Sequence, residues 1–144
     1  MDRGFVMKSD GLLRILKTPC FVSEGFDPAN GELPCGRIEY EATWDTGAST
    51  SMITQQIVDE CGLKPIRKSN LQSVSGVQKT EVYMINLYLP GNVLFSRIPV
   101  VRGNFGHARW KMIIGMDVIR HGDFFVVNKN SVTEFSFTVP EASQ

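Results

Sequence analysis

Residues 37–44 (Arg-Ile-Glu-Tyr-Glu-Ala-Thr-Trp) alternate polar and apolar side chains, and the alternation stops at Asp45-Thr46-Gly47. A period of two marks a half-buried strand, because successive side chains point to opposite faces of a sheet. The strand therefore delivers Asp45 into a tight turn at its end. Gly47 lets the backbone bend sharply and bring its amide to the Asp45 carboxylate, while Thr46 places a hydroxyl beside it. An ordinary turn accounts for the same triplet, with Asp45 bonding its own backbone and Gly47 at positive φ. The surroundings of the turn decide between the two.

The second informative stretch is Lys111-Met112-Ile113-Ile114-Gly115-Met116-Asp117-Val118-Ile119. It predicts a buried strand ending at Gly115, then a short helix from Met116 to about His121 that Gly122 stops. Between the two stretches, residues 54–61 predict a short helix. Thr54 is its N-cap, Ile57, Val58 and Cys61 form its apolar face, and Gly62 and Pro65 end it. Residues 70–80 predict a hairpin with its tip at Ser75-Gly76, and 81–89 continue the return strand. Residues 93–101 form another strand after Pro90-Gly91, and 102–109 a loop in which His107 is a solvated surface residue. Upstream, Leu12-Leu13-Arg14-Ile15-Leu16 is expected to be the first strand, extended by Phe21-Val22. Asp27-Pro28, Asn30-Gly31 and Pro34 then punctuate a loop. Downstream, 123–127 and 132–139 predict a hairpin turning at Asn128-Lys129-Asn130, with Phe135 and Phe137 on one face.

The Asp45-Thr46-Gly47 turn and the Ile113-Ile114-Gly115 stretch, 70 positions apart, together resemble the two signatures of retropepsin-like (retroviral-type) aspartic proteases. The order of turn, helix, hairpin, strand, apolar-apolar-Gly and short helix is preserved over about 37–137. The resemblance implies an all-β, closed barrel with one or two short helices and a flap hairpin, assembled as a homodimer. It implies an aspartic endopeptidase that hydrolyses a peptide held in an extended groove, with no cofactor and no metal. Asp45, Thr46 and Gly47 become the catalytic turn, with Asp45 paired to its mate in the partner subunit. Ala48, Ser73, Val74, Ser75, Gly76, Val77 and Ile113 become substrate contacts, with 73–77 as the flap. Ile113, Ile114, Gly115 and Asp117 form the structural motif, Asp117 capping or bonding the local backbone. Terminal strands in the family contribute to a dimer sheet, a role open to Phe135 and Phe137 beside a place in the core.

The likeness has departures. Viral members often pair an acidic residue after Asp-Thr-Gly-Ala with an Arg after the second glycine; here those positions are Ser49 and Met116. The Gly-Met-Asp form is similar to retrotransposon proteases, the retroviral-like domains of ubiquitin-shuttle proteins and bacterial relatives. Trp44 is bulkier than the aliphatic residue that usually precedes the Asp. A non-catalytic dimerisation or peptide-binding module keeps the fold without turnover and is the second reading. A third is a zymogen in which the segment before Arg37 occupies the groove or needs trimming.

Composition narrows the remaining possibilities. The 144 residues, 42% hydrophobic and 21% charged, are expected to form one domain with 1–36 as an N-terminal strand and loop. Fifteen basic and fifteen acidic residues balance without a basic block, which argues against a nucleic-acid or membrane surface. Residues 1–10 lack the apolar core of a signal peptide. Cys20, Cys35 and Cys61 contain no C-x-x-C pair, and His107 and His121 lie far from ligand spacing, so reduced thiols and a cytoplasmic location are expected.

Overall fold

The computed structural model describes residues 2–26, 29 and 36–140. Among them run β1 (Arg3–Lys8), β2 (Lys17–Glu24), β3 (Ile38–Trp44), β4 (Met52–Ile53), α1 (Gln55–Glu60), β5 (Arg67–Ser73) and β6 (Gly76–Leu89). β7 (Val93–Arg102), β8 (Met112–Ile114), α2 (Met116–Ile119), β9 (Asp123–Lys129) and β10 (Val132–Val139) complete the chain.

Six strands close on themselves in the order β2-β3-β8-β4-β7-β6, with β6 returning to β2, and β5 hangs from β6 outside the ring. The β3–β8 and β4–β7 contacts are parallel, and the others in the ring are antiparallel. Closure leaves the ring without an unpaired edge. The interior is filled by Val22, Ile53, Ile57, Tyr83, Ile85, Leu87, Met112 and Ile114, all essentially inaccessible to water. β8 reads as an unbroken apolar run because Met112 and Ile114 are buried in the interior while Ile113 between them is half-buried. Between Ile85 and Leu87 the β6–β7 register slips. The buried Asn86 at the slip accepts from the Arg97 N–H at 2.8 Å and donates to the Phe26 carbonyl at 3.2 Å.

A second sheet, β1-β10-β9, packs over one end of the ring. Its inward face carries Phe5, Phe124, Phe135 and Phe137, which surround Trp44 at the end of β3. Trp44 stacks on Phe124 with centroids 5.4 Å apart and donates from Nε1 to the buried Thr18 hydroxyl at 2.9 Å. The large residue before Asp45 is thus a packing choice, filling the seam between ring and sheet.

The N-terminal expectations need correction. Leu12–Leu16 is not a strand; it crosses between the sheets with Leu12 64% exposed. The first strand is β1, drawn into order by β10 from the opposite end of the chain. β2 is a ring member, so the described part of the segment before Arg37 is built into the fold rather than laid in a groove. The turn punctuation at Asp27-Pro28, Asn30-Gly31 and Pro34, and Cys35, lies outside the described residues. Phe135 and Phe137 are buried core residues, and β10 has both edges filled by β1 and β9 of its own chain, so it cannot lend an edge to a dimer sheet. The last hairpin turns at Asn130-Ser131, both at positive φ, slightly later than expected.

The other elements fall close to expectation. Gly62 sits at φ 64 just past α1, where only a glycine is comfortable. Thr54 occupies the N-cap position with extended backbone, but its side chain makes no capping bond. The 67–89 hairpin has its tip at Val74-Ser75, and His107 is exposed.

Candidate active site

β3 ends at Trp44, and the Asp45 N–H donates to the Ile114 carbonyl at 2.9 Å, continuing the β3–β8 pairing by one step. The chain then folds back: the Ala48 N–H donates to the Asp45 carbonyl at 3.1 Å, and the Gly47 N–H donates to Asp45 Oδ1 at 2.8 Å. Gly47 is not at positive φ. What it supplies is room, since a Cβ there would stand 3.1 Å from Asp45 Oδ1. One carboxylate oxygen is thereby fixed by a backbone amide, and the residue remains exposed in the single chain.

The second stretch passes behind this turn. The Met116 N–H donates to the Ala48 carbonyl at 2.7 Å, and a Cβ on Gly115 would come within 2.6 Å of that same oxygen. No larger residue fits at 115 without pushing the turn away. Asp117 accepts from the Ser51 N–H at 2.9 Å and the Ser51 hydroxyl at 2.7 Å, and from the Val118 N–H at 3.0 Å. Ser51 Oγ also accepts from the Gly115 N–H at 3.0 Å. Asp117 thus bonds one local amide, that of Val118, and its other two bonds reach Ser51, 66 positions earlier. Ser51, buried and central to the junction, is a residue that sequence reasoning missed. Its only signal is its place in a polar run, Ser49-Thr50-Ser51, entering a strand.

A cavity of about 420 Å³ opens beside Asp45, lined by Gly47, Ala48, Ser49, Thr50, Met52 and Val101 on the ring side. Its opposite wall is β5, through Ser69, Asn70, Leu71 and Gln72. The expected substrate contacts divide. Ala48 lines this cavity; the hairpin tip at 73–77 lies beyond it, with Val74 in open solvent and Val77 62% exposed. Ile113 is half-buried in the middle of β8 and outside this lining. Ser69–Gln72, Met52 and Val101 were not singled out from sequence, because a strand pattern does not tell which stretch of a hairpin will overhang a neighbour.

Away from the turn, Cys20 and Cys61 are free thiols. Burial, with smaller contributions from Glu39 and Cys61, pushes the Cys20 thiol up to about 12. Burial also raises Tyr40, whose hydroxyl donates to Glu60 Oε1 at 2.7 Å. Among the described residues no cluster of three or more His, Cys, Asp or Glu could hold a metal ion.

A closed six-stranded ring, an Asp-Thr-Gly turn bonded to the strand before an apolar-apolar-Gly motif, and an overhanging hairpin define the retropepsin-like fold. Residues 35–121 match the family model described as "gag-polyprotein putative aspartyl protease", and the chain belongs to that family. A search of curated sequences gives no match. Among solved structures, the chain is similar to a retropepsin-like aspartic protease from Rickettsia conorii, at 16% identity and TM-score 0.58 over 96% of each chain. It is also similar to the EIAV protease complexed with an inhibitor, at 16% identity and TM-score 0.52, over 78% of this chain and 91% of that one.

Proposed function

We propose that the protein is an aspartic endopeptidase acting as a homodimer, with water activated between two Asp45 carboxylates, one from each subunit. The observation that carries this reading is the Asp45 carboxylate itself: exposed, fixed through Oδ1 by the Gly47 amide at 2.8 Å, and set at the wall of an open cavity. Peptide hydrolysis by this route needs one group to take a proton from water and another to protonate the carbonyl oxygen. Two close carboxyls do both, because like charges at that distance cannot both ionise and the pair retains one proton. The titrations then belong to the pair. The chain carries one Asp-Thr-Gly, so a two-fold axis, the commonest oligomer symmetry, supplies the second.

In that assembly the ionised Asp45 takes a proton from water as the oxygen attacks the scissile carbonyl carbon. The protonated Asp45 gives its proton to the carbonyl oxygen. The tetrahedral diol then collapses: the C–N bond breaks, the departing nitrogen takes the proton gained from water, and one diol hydroxyl returns its proton to the second Asp45, leaving a carboxylic acid, an amine and a dyad that again holds one proton. Each Thr46 hydroxyl bonds across the axis, the tip at 73–77 closes over the bound peptide, and Ile113 walls a pocket. The reading needs no cofactor. The free thiols Cys20 and Cys61 suit a cytoplasmic site of action.

The test is cleavage of a diverse peptide library between pH 4 and 7 by wild type and Asp45→Asn, with sedimentation of both. Cleavage that vanishes in the variant and is blocked by a statine-type inhibitor supports the dyad. An active monomer overturns the dimer. No cleavage by a folded dimer replaces the enzyme with a peptide-binding module.

A further inference from the structure

We infer that a second cavity, next to the one at Asp45, selects substrates through an acidic side chain of the bound peptide. The inference rests on the endopeptidase reading and adds a substrate class to it. The cavity, about 470 Å³, lies under the root of the β5–β6 hairpin, between Leu71 and Lys79 above and Thr54, Arg102, Phe105 and Lys111 below.

Its charge is one-sided. Three cations line it and no Asp or Glu does. The acids on surrounding elements are already engaged. Glu81 pairs with Arg102 at 3.1 Å, Asp59 accepts from the Gln55 amide at 2.9 Å, and Glu60 accepts from Tyr40 at 2.7 Å. Glu41, whose carbonyl takes the Lys111 N–H, pairs its carboxylate with Lys17 at 3.6 Å. Lys79 and Lys111 have no ion pair among the described residues. Two ammonium groups without an ion pair around one space are the donors that a carboxylate requires.

The cavity is contiguous with the site. Leu71 walls both spaces, and Met52, which lines the Asp45 cavity, has its sulfur 3.3 Å from where a Cβ on Gly103 would stand in the second. An extended peptide with its scissile bond at Asp45 therefore reaches past Leu71 with a side chain some positions away. Charge there discriminates by attraction to acidic residues and by repulsion of Lys and Arg.

The test uses full-length protein and ten-residue substrates that differ only by Glu or Gln at one position at a time. Preference for Glu by about tenfold in kcat/KM at one position, carried in KM, is expected for a partly exposed charge-assisted contact. Lys79→Gln with Lys111→Gln brings that Glu/Gln ratio close to one, and Lys79→Glu with Lys111→Glu shifts preference to Lys. Because each ratio is taken on one protein, a loss of folded enzyme cancels. A ratio unchanged in the double variant, or no position that prefers Glu, overturns the inference.

If wild type cuts none of the peptides, the endopeptidase reading fails, and the acid site is judged by binding. Backbone NMR shifts at Thr54, Lys79 and Lys111 are then followed in Asp45→Asn with the same peptides. Larger shifts with the Glu peptide support the site. Equal shifts with Glu and Gln, or shifts with inorganic phosphate alone, overturn it.

Discussion

The Ser51 hydroxyl donates to Asp117 Oδ1 at 2.7 Å across 66 positions of sequence, and Ser51 Oγ in turn accepts from the Gly115 N–H at 3.0 Å. One buried serine thus ties the segment after the Asp45 turn to the start of α2. Ser51→Ala strands the Gly115 amide and removes one of the three hydrogen bonds that the Asp117 carboxylate accepts, the Ser51 and Val118 amides remaining. It is expected to cost about 2–4 kcal/mol in urea unfolding. A change below about 0.5 kcal/mol would show that the junction is held by the strands alone.

Asp45→Asn is expected to separate activity from stability. The side-chain carbonyl of the introduced asparagine still accepts the Gly47 amide, so the melting temperature should stay within about 2 °C. Peptidase activity should fall by at least about a thousandfold, since an amide can neither take nor give the proton. A variant that retains a tenth of the rate would assign the chemistry elsewhere.

Trp44→Leu tests the seam between ring and second sheet. The substitution removes the stack on Phe124 and leaves the Thr18 hydroxyl, 1% exposed, without its donor. The expected loss is about 3–5 kcal/mol, read from the urea midpoint at constant slope. A loss of less than about 1 kcal/mol would mean that β1 and β9 repack over the gap.

Alkaline pH should loosen the fold through Cys20. Its folded value is raised from 9.0 to about 12, mainly by burial, so the folded state holds the proton more tightly than the unfolded chain. The stability it contributes is complete below about pH 9 and is lost as pH rises toward 12, at a limiting slope of about 1.4 kcal/mol per unit. Tyr40, also raised by burial, acts in the same direction from a higher starting point. Urea midpoints between pH 8 and 11 should fall less steeply in Cys20→Ala than in wild type. Identical slopes would remove Cys20 from the account.

What could be read in the sequence was what neighbours in the chain decide. The alternation ending at Trp44 placed β3, and Ile113-Ile114-Gly115 placed the strand behind the turn, because each pattern reflects burial along a few consecutive residues. β1 escaped because Arg3–Lys8 has no sharp pattern of its own and is ordered by β10, more than a hundred residues later. Leu12–Leu16 misled for the converse reason: an apolar run signals burial, yet here it bridges two sheets, tied to β10 by the Leu13 N–H and to β3 by the Leu16 carbonyl without forming a strand of its own. At the site, Asp45, Gly47 and Gly115 were legible as residue types with few substitutes. Ser51 was not, since a buried hydroxyl reads in sequence like any surface serine, and its partner lies far along the chain.

Mechanically the protein is a rigid hoop with one lever. β6 pairs with β7 and β2 only from Val82 onward, so its residues 76–81 are joined by strand pairing to β5 alone. At the root, Thr80 bonds the Arg102 carbonyl at 2.7 Å and Glu81 pairs with the Arg102 guanidinium. Arg102 is therefore the fulcrum. Displacing the lever would leave every strand pairing of the hoop intact, and only the ties to Arg102 would couple its travel to the stability of the barrel.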